Sequence, residues 1–186
     1  MHILVLNCGG ATLKYKLFLM PQERVRAEGL LDRLGTGQAF LTHRTEDGRR
    51  YEEPCPERDH LAGMRRVLEL LTDPQWGVLQ RLEDLDAVAH KLAHGGERFR
   101  GAVRIEEEVI KALEEYAPLV PIHNPPNLLG IRICRELLPR VPQFGTFETS
   151  FHHTVPRYAW MYPLPYEWYE RYRVRKYGFH SASHRY

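Results

Sequence analysis

The spacing of hydrophobic and polar positions changes several times along the chain, and each change marks an element. Ile3-Leu4-Val5-Leu6 is short and wholly apolar, the pattern of a buried central strand. Asn7-Cys8-Gly9-Gly10-Ala11-Thr12 follows as a tight turn. Polar and apolar residues then alternate from Lys14 to Met20, which predicts the second arm of a hairpin. Arg24 to Leu31 predicts a third strand. Residues 43 to 57 are polar and charged, with Asp47-Gly48 as a turn signal, so either a strand or a loop is expected on the surface there.

A helical period takes over at Asp59. Leu61, Met64, Val67, Leu68 and Leu71 fall on one stripe, with Asp59 placed as an N-cap. Ala87 to Ala93 is again strand-like and runs into Gly95-Gly96, and Glu106 to Tyr116 predicts a short amphipathic helix. Pro121, Pro125 and Pro126 predict a rigid extended loop. Asn127 stands where it would cap a helix through Leu128, Ile131, Ile133 and Leu137. Pro142 to Phe147 predicts a strand. The chain contains no internal repeat and no low-complexity segment.

Hairpin strands followed by alternating helices and strands imply a mixed α/β layer. The composition shifts near residue 150: of 20 aromatic residues, 11 lie between Phe151 and Tyr186, with prolines at 156, 163 and 165. A domain boundary is expected there, giving one domain over residues 1–150 and the opening segment of a second over 151–186.

Composition narrows the function classes. Apolar residues make up 43% and charged residues 27% of 186, which is ordinary for a globular chain. The net charge of +2 gives no basic surface for nucleic acid or membrane. No apolar run reaches membrane-spanning length, and the N-terminus lacks the basic region and cleavage site of a secretion signal. Cys8, Cys55 and Cys134 are odd in number and widely spaced, which fits reduced thiols and a cytoplasmic location. The absence of C-x-x-C removes a zinc-ribbon reading.

Four segments, in this order, carry a resemblance. They are Leu6-Asn7-Cys8-Gly9-Gly10-Ala11-Thr12-Leu13-Lys14-Tyr15; His90-Lys91-Leu92-Ala93-His94-Gly95-Gly96-Glu97; Ala117-Pro118-Leu119 through Ile122-His123-Asn124-Pro125-Pro126-Asn127; and Phe147 to Tyr186, with Tyr162-Pro163-Leu164-Pro165-Tyr166 and Tyr177-Gly178-Phe179-His180. Together the chain resembles the acetate and propionate kinase family, within the actin-like, sugar-kinase superfamily. That resemblance implies two RNase H-like domains, each a mixed β-sheet flanked by helices. It implies an α/β chain carrying most of the first domain and the start of the second. It also implies conversion of ATP and acetate to ADP and acetyl phosphate, with Mg2+ as cofactor and a small carboxylate and a nucleotide as partners. In the family, the remainder of the second domain holds most of the adenosine pocket, an essential Arg and a magnesium-binding Glu. The isolated polypeptide is therefore expected to be inactive or nearly so. A homodimer or a separately encoded second half is the expected partner. The competing class is a degenerate, non-catalytic half that acts as an interaction and oligomerisation module.

Phosphoryl transfer rests on positioning and charge neutralisation, and the resemblance distributes those tasks. Gly9 and Gly10 bring backbone N–H groups close to a phosphate, Thr12 keeps a hydroxyl where the family has a serine-rich turn, and Lys14 belongs to the same phosphate segment. Asn7 is assigned to the magnesium region. The other reading of this run is a hairpin turn that simply needs glycine; it is neither G-x-G-x-x-G nor a P-loop. Lys91 takes the place of a family Arg that binds carboxylate or phosphate, keeping the charge without the bidentate fork; otherwise it pairs with Glu97. Ala93, Ile122 and Phe179 match an acyl-methyl pocket, or are ordinary core residues; Ala93 is smaller than the family's usual Val, which leaves room for a longer acyl chain. Glu148 replaces an Asp that places magnesium-bound water or phosphate, or is an exposed strand-end carboxylate. His180 matches a histidine that stabilises the transition state, and His123 a supporting one; Ser181-Ala182 stands where the family has Gly-Thr. A metal site built on His152-His153 or on His180 and His184 has no matching carboxylate spacing. The decisive expectation is geometric: Asn7, Lys91, Glu148 and His180 should meet at one anion-sized cleft.

Overall fold

The computed structural model describes residues 1–55 and 59–186. Strands β1 (His2–Cys8), β2 (Leu13–Leu19), β3 (Arg24–Asp32), β4 (Phe40–Thr45) and β5 (Arg50–Pro54) form an antiparallel meander. Helix α1 (His60–Thr72) leads to β6 (Ala87–Leu92), the short β7 (Val103–Arg104), α2 (Glu107–Tyr116), α3 (Asn124–Leu137) and β8 (Gln143–Phe147). The eight strands make one mixed sheet in the order β5-β4-β3-β2-β1-β6-β8-β7. Strands β6 and β8 run parallel to β1, so all three end at the same edge.

The unbroken apolar run of β1 reflects its place in the middle of that sheet. Leu4, Leu6 and Cys8 point into the core with Leu17, Val88 and the α1 stripe of Met64, Val67, Leu68 and Leu71. A second cluster joins Leu92 and Phe147 to Val109 and Leu113 of α2 and Leu128 and Ile131 of α3. All three long helices therefore cover one face. Alternation along each strand sends Val5, Asn7, Lys14, Lys91 and Thr146 to the opposite face. Asp59 caps α1 as expected, accepting the Ala62 N–H at 2.8 Å.

Three local expectations are corrected. The segment from 43 to 57 supplies parts of two strands rather than one strand or loop, and positions 56 and 57 lie outside the described residues. Its polar residues hide the pattern because they are buried with partners: His43 Nδ1 accepts the Tyr15 hydroxyl at 2.5 Å, and His43 Nε2 donates to the Trp76 carbonyl at 3.0 Å. Pro125 and Pro126 do not extend the chain but sit in the first turn of α3, where a missing N–H breaks no helical bond. Asn127 is therefore inside the helix and caps nothing. Buried there, its Oδ1 accepts the Ala93 N–H at 2.9 Å and its Nδ2 donates to the Cys8 carbonyl at 2.8 Å. It ties the end of β1 to the chain just beyond β6.

Beyond β8 come a short 3-10 turn (Ser150–Thr154) and three short helices, α4 (Arg157–Trp160), α5 (Tyr166–Tyr172) and α6 (Ser181–Arg185). Arg175 anchors this stretch. Its guanidinium pairs with Glu97 and lies 3.9 Å over the Trp160 ring. Tyr169 adds a hydroxyl bond to Glu97 at 3.2 Å. All three cysteines are buried thiols, and burial pushes Cys8 up to about 11. Among the described residues no helix is long and apolar enough to cross a membrane.

Candidate functional site

The open face of the sheet and the shared ends of β1, β6 and β8 define one region. Lys91 pairs across the ladder with Thr146, and Asn7 pairs with Lys14. Leu6 pairs with His90, so Asn7 and Lys91, one residue further on, share the open face on adjacent strands. An edge where a parallel strand order meets an antiparallel one leaves chain ends diverging around a crevice.

Glu148 organises the crevice. It follows β8 directly, and its N–H donates to the Leu92 carbonyl at 2.9 Å, which fixes its backbone beside β6. Its Oε1 lies 3.5 Å from Lys91 Nζ, and its Oε2 accepts the His180 N–H at 3.2 Å and stands 3.8 Å from His180 Nδ1. The Glu148 side chain is 17% exposed, so it is not a free strand-end carboxylate, whereas the His180 side chain is 81% exposed and open to a ligand. The Glu148 carbonyl also accepts the Ser181 N–H at 3.2 Å and the Ser181 hydroxyl. A cleft of about 490 Å3 opens here, lined by Lys91, Thr146, Glu148, Ser181 and Arg185.

Three of the four residues expected to meet therefore touch: Lys91, Glu148 and His180. Asn7 stands one strand away, in a groove of about 630 Å3 that it shares with Lys14 on the same face. The alternative partner for Lys91 is excluded, because Glu97 is paired with Arg175. The Gly9–Thr12 turn closes on itself, Gly9 N–H to the Thr12 carbonyl at 2.8 Å, while His60 Nε2 donates to the Gly9 carbonyl at 2.8 Å. Gly10 is exposed at the tip.

The expected acyl pocket is not closed in this chain. Ala93 is buried, Ile122 lies in a turn with 76% of its surface exposed, and Phe179 packs its edge on His94 at 5.8 Å. The cavity beside Phe179, of about 390 Å3, is walled by His94, Leu119, Val120 and Tyr177 and does not include Ala93 or Ile122. His123 is exposed, just before α3, with no cap bond from its side chain. Among the described residues no three His, Cys, Asp or Glu side chains gather as a metal site.

His94 is a buried neighbour of the cleft. Its Nδ1 accepts the Gly96 N–H at 2.9 Å, its ring meets Tyr177 edge-on at 4.3 Å, and burial pulls its pKa down to about 4. The imidazole is thus neutral near pH 7. Sequence reasoning passed over His60 and Arg185, and read Asn127 only as a helix cap and Ser181 only as a departure from the family pattern. Each works through a bond or a wall contact with a residue at least a few positions away, and spacing carries no signal for that.

Comparison with known proteins gives the family and the fold. The profile of the acetokinase family matches residues 2–186. The acetate kinase of Clostridium kluyveri is 46% identical over 186 residues, covering 100% of this chain and 46% of that protein. The crystal structure of Porphyromonas gingivalis acetate kinase superposes with a TM-score of 0.93 at 41% identity, covering 100% of this chain and 46% of its own. A propionate kinase from Francisella tularensis superposes with a TM-score of 0.92 at 30% identity, with the same coverage of 100% and 46%. The chain spans about half the length of the relatives it matches.

Proposed function

The chain belongs to the acetokinase family, and on that premise we propose that its cleft is the acceptor side of an ATP:carboxylate phosphotransferase site. A carboxylate oxygen of acetate would attack the terminal phosphorus of ATP, the bond to the bridging oxygen would break, and ADP and acetyl phosphate would leave. The observation that carries this is Glu148, held 3.5 Å from Lys91 Nζ and bonded at 3.2 Å to the His180 N–H.

Lys91 supplies the cation for the acceptor carboxylate or the transferring group. His180, exposed and oriented by its own N–H, donates to the transferring oxygens. The turn at Gly9, Gly10 and Thr12, with Lys14 and His123 nearby in the family pattern, would meet the nucleotide phosphates. Ala93, Ile122 and Phe179 would face the acyl chain once residues outside this span complete the wall. Glu148 is the one carboxylate side chain in the cleft that suits a magnesium ion, which keeps most of its waters and takes phosphate oxygens as ligands; Asn7, assigned to the same ion by the family pattern, lies in a separate groove, so the two residues do not form one donor set in this chain. When bound the ion supplies neutralising charge on the phosphates.

By the family pattern the adenosine pocket and an essential Arg lie in the half of the relatives that this chain does not match, so a separately encoded second half is the partner that would complete the site, and a homodimer would serve association alone. The test is hydroxamate trapping of acetyl phosphate with magnesium and ATP, using the chain alone and then with a supplied second half. Turnover in the mixture is expected, and none in either arrangement rejects the proposal. In the active arrangement, Glu148→Gln should lower kcat roughly 10²-fold, since it removes the charge that orients Lys91 and His180. Stability should move by less than about 1 kcal/mol, because Lys91 is 40% exposed and such pairs are weak. Equal kcat for wild type and variant would count against the assignment.

One observation favours a second reading. Tyr158, Trp168 and Tyr172 are 88%, 45% and 55% exposed, an aromatic surface suited to contact with another protein. A non-catalytic module using that surface would associate in light scattering, whereas a clean monomer that binds no apolar dye argues against it.

A further inference from the structure

His180 can meet a phosphoryl group only if its backbone holds an uncommon shape. Gly178 has φ +75° and His180 has φ +56°, two left-handed residues separated by Phe179. A left-handed residue with a side chain persists where its surroundings fix it. Glu148 does so from the cleft side, through its bonds to the His180 and Ser181 N–H groups. From behind, His152 acts on the two residues just before His180, Gly178 and Phe179. Its Nε2–H donates to the Phe179 carbonyl at 2.8 Å. Its ring also fills the space over Gly178: a Cβ there would come within 2.4 Å of the ring Cγ and 2.5 Å of Cδ2. His152 is itself held in place by edge contacts with Phe151 at 5.2 Å and His184 at 5.0 Å. It is not among the residues that line the cleft with Lys91 and Glu148.

We propose that His152 is a positioning residue: its N–H and its flat ring set the left-handed backbone from Gly178 to His180, and so the place of the His180 imidazole beside Glu148. This rests on the phosphotransfer reading of the cleft for its catalytic consequence, but not for its geometry. The side chain brings two properties, and the placement of His180 depends chiefly on the first. One is a donor at the end of a ring-length side chain, to reach the Phe179 carbonyl. The other is a thin face that tolerates contact with a bare Cα. Glutamine keeps the first and phenylalanine only the second.

The experiment compares wild type, His152→Gln and His152→Phe in the full chain, with the second half supplied where turnover requires it. The kinetic readout is the split between kcat and the KM for acetate. The second readout, on the chain alone, is the His180 backbone amide resonance, which reports its bond to Glu148. His152→Phe should lose roughly 10²-fold in kcat, the scale of a ~1 Å misplacement, with KM unchanged. Its His180 amide should leave its wild-type position. His152→Gln should stay within about threefold of wild type in kcat, because the donated bond is kept. Gly178→Ala, which pushes a methyl into the same ring, should behave like His152→Phe and replaces it if that variant does not fold. A wild-type amide position in His152→Phe overturns the proposal, as does a Gln variant that falls as far as the Phe variant. If wild type gives no turnover in any arrangement, the phosphotransfer reading fails, and the amide comparison alone decides whether His152 sets this backbone.

Discussion

Lowering the pH from about 7 to about 4.5 is expected to remove roughly 5 kcal/mol of folding stability, a large share of what a domain of this size possesses. The cause is two buried imidazoles. His90 donates its Nε2–H to Gln143 Oε1 at 2.8 Å, His94 accepts from Gly96, and burial pulls both from 6.5 to about 4. Both are neutral in the folded and unfolded chain above 6.5, so no stability is lost there. Below 6.5 the unfolded chain takes up protons that the folded chain refuses until about 4, and stability falls through that window. His43, also lowered by burial, adds in the same direction. Asp73 and Asp84, held below the usual carboxylate value of 3.8 by hydrogen bonds, act only at lower pH and do not blur the window. Urea midpoints across the range measure the slope, and His90→Gln should roughly halve it. A midpoint that does not move with pH would show that these rings titrate normally.

Gly96→Ala is expected to cost roughly 2–5 kcal/mol, from left-handed strain of about 1–2 and overpacking of about 1–3. Gly96 has φ +60°, and a Cβ on it would sit 2.0 Å from Cζ and 2.4 Å from Cε2 of Tyr116. Tyr116 cannot swing aside. It is 2% exposed, packs on His94 at 5.8 Å, and carries the Arg173 guanidinium 4.9 Å over its ring. Thermal or urea denaturation of the variant against wild type reads this directly. A midpoint within error of wild type would mean that Tyr116 has another place to go. His94 touches Tyr177 and Phe179, so the loss should also loosen the stretch that carries His180.

The elements that sequence made legible share one property: a single period with a clear boundary. The apolar run of β1, the alternation of β2 and the stripe of α1 behind Asp59 all emerge where expected, because burial on one face dictates each pattern. Strand β4 was obscured because His43 and Thr45 are buried polar residues, which only their partners Tyr15, Trp76 and Asp47 make tolerable. The prolines of α3 misled for a related reason. Proline is equally at home in an extended loop and in a first helical turn, and nothing local distinguishes the two.

The candidate site divides along the same line. By itself the sequence determined the family and the mixed α/β class, and it singled out Lys91, Glu148 and His180 as candidates for one site. Residue type and local order carry that information. Only the tertiary structure decided that Glu148 rather than Glu97 takes Lys91, that Asn127 ties Cys8 to Ala93, and that His152 and Glu148 grip the backbone at His180 from two sides. Those pairings join positions up to 119 residues apart. They exist because parallel strands bring distant chain ends to one edge, where hydrogen-bond geometry over a few ångströms selects the partner.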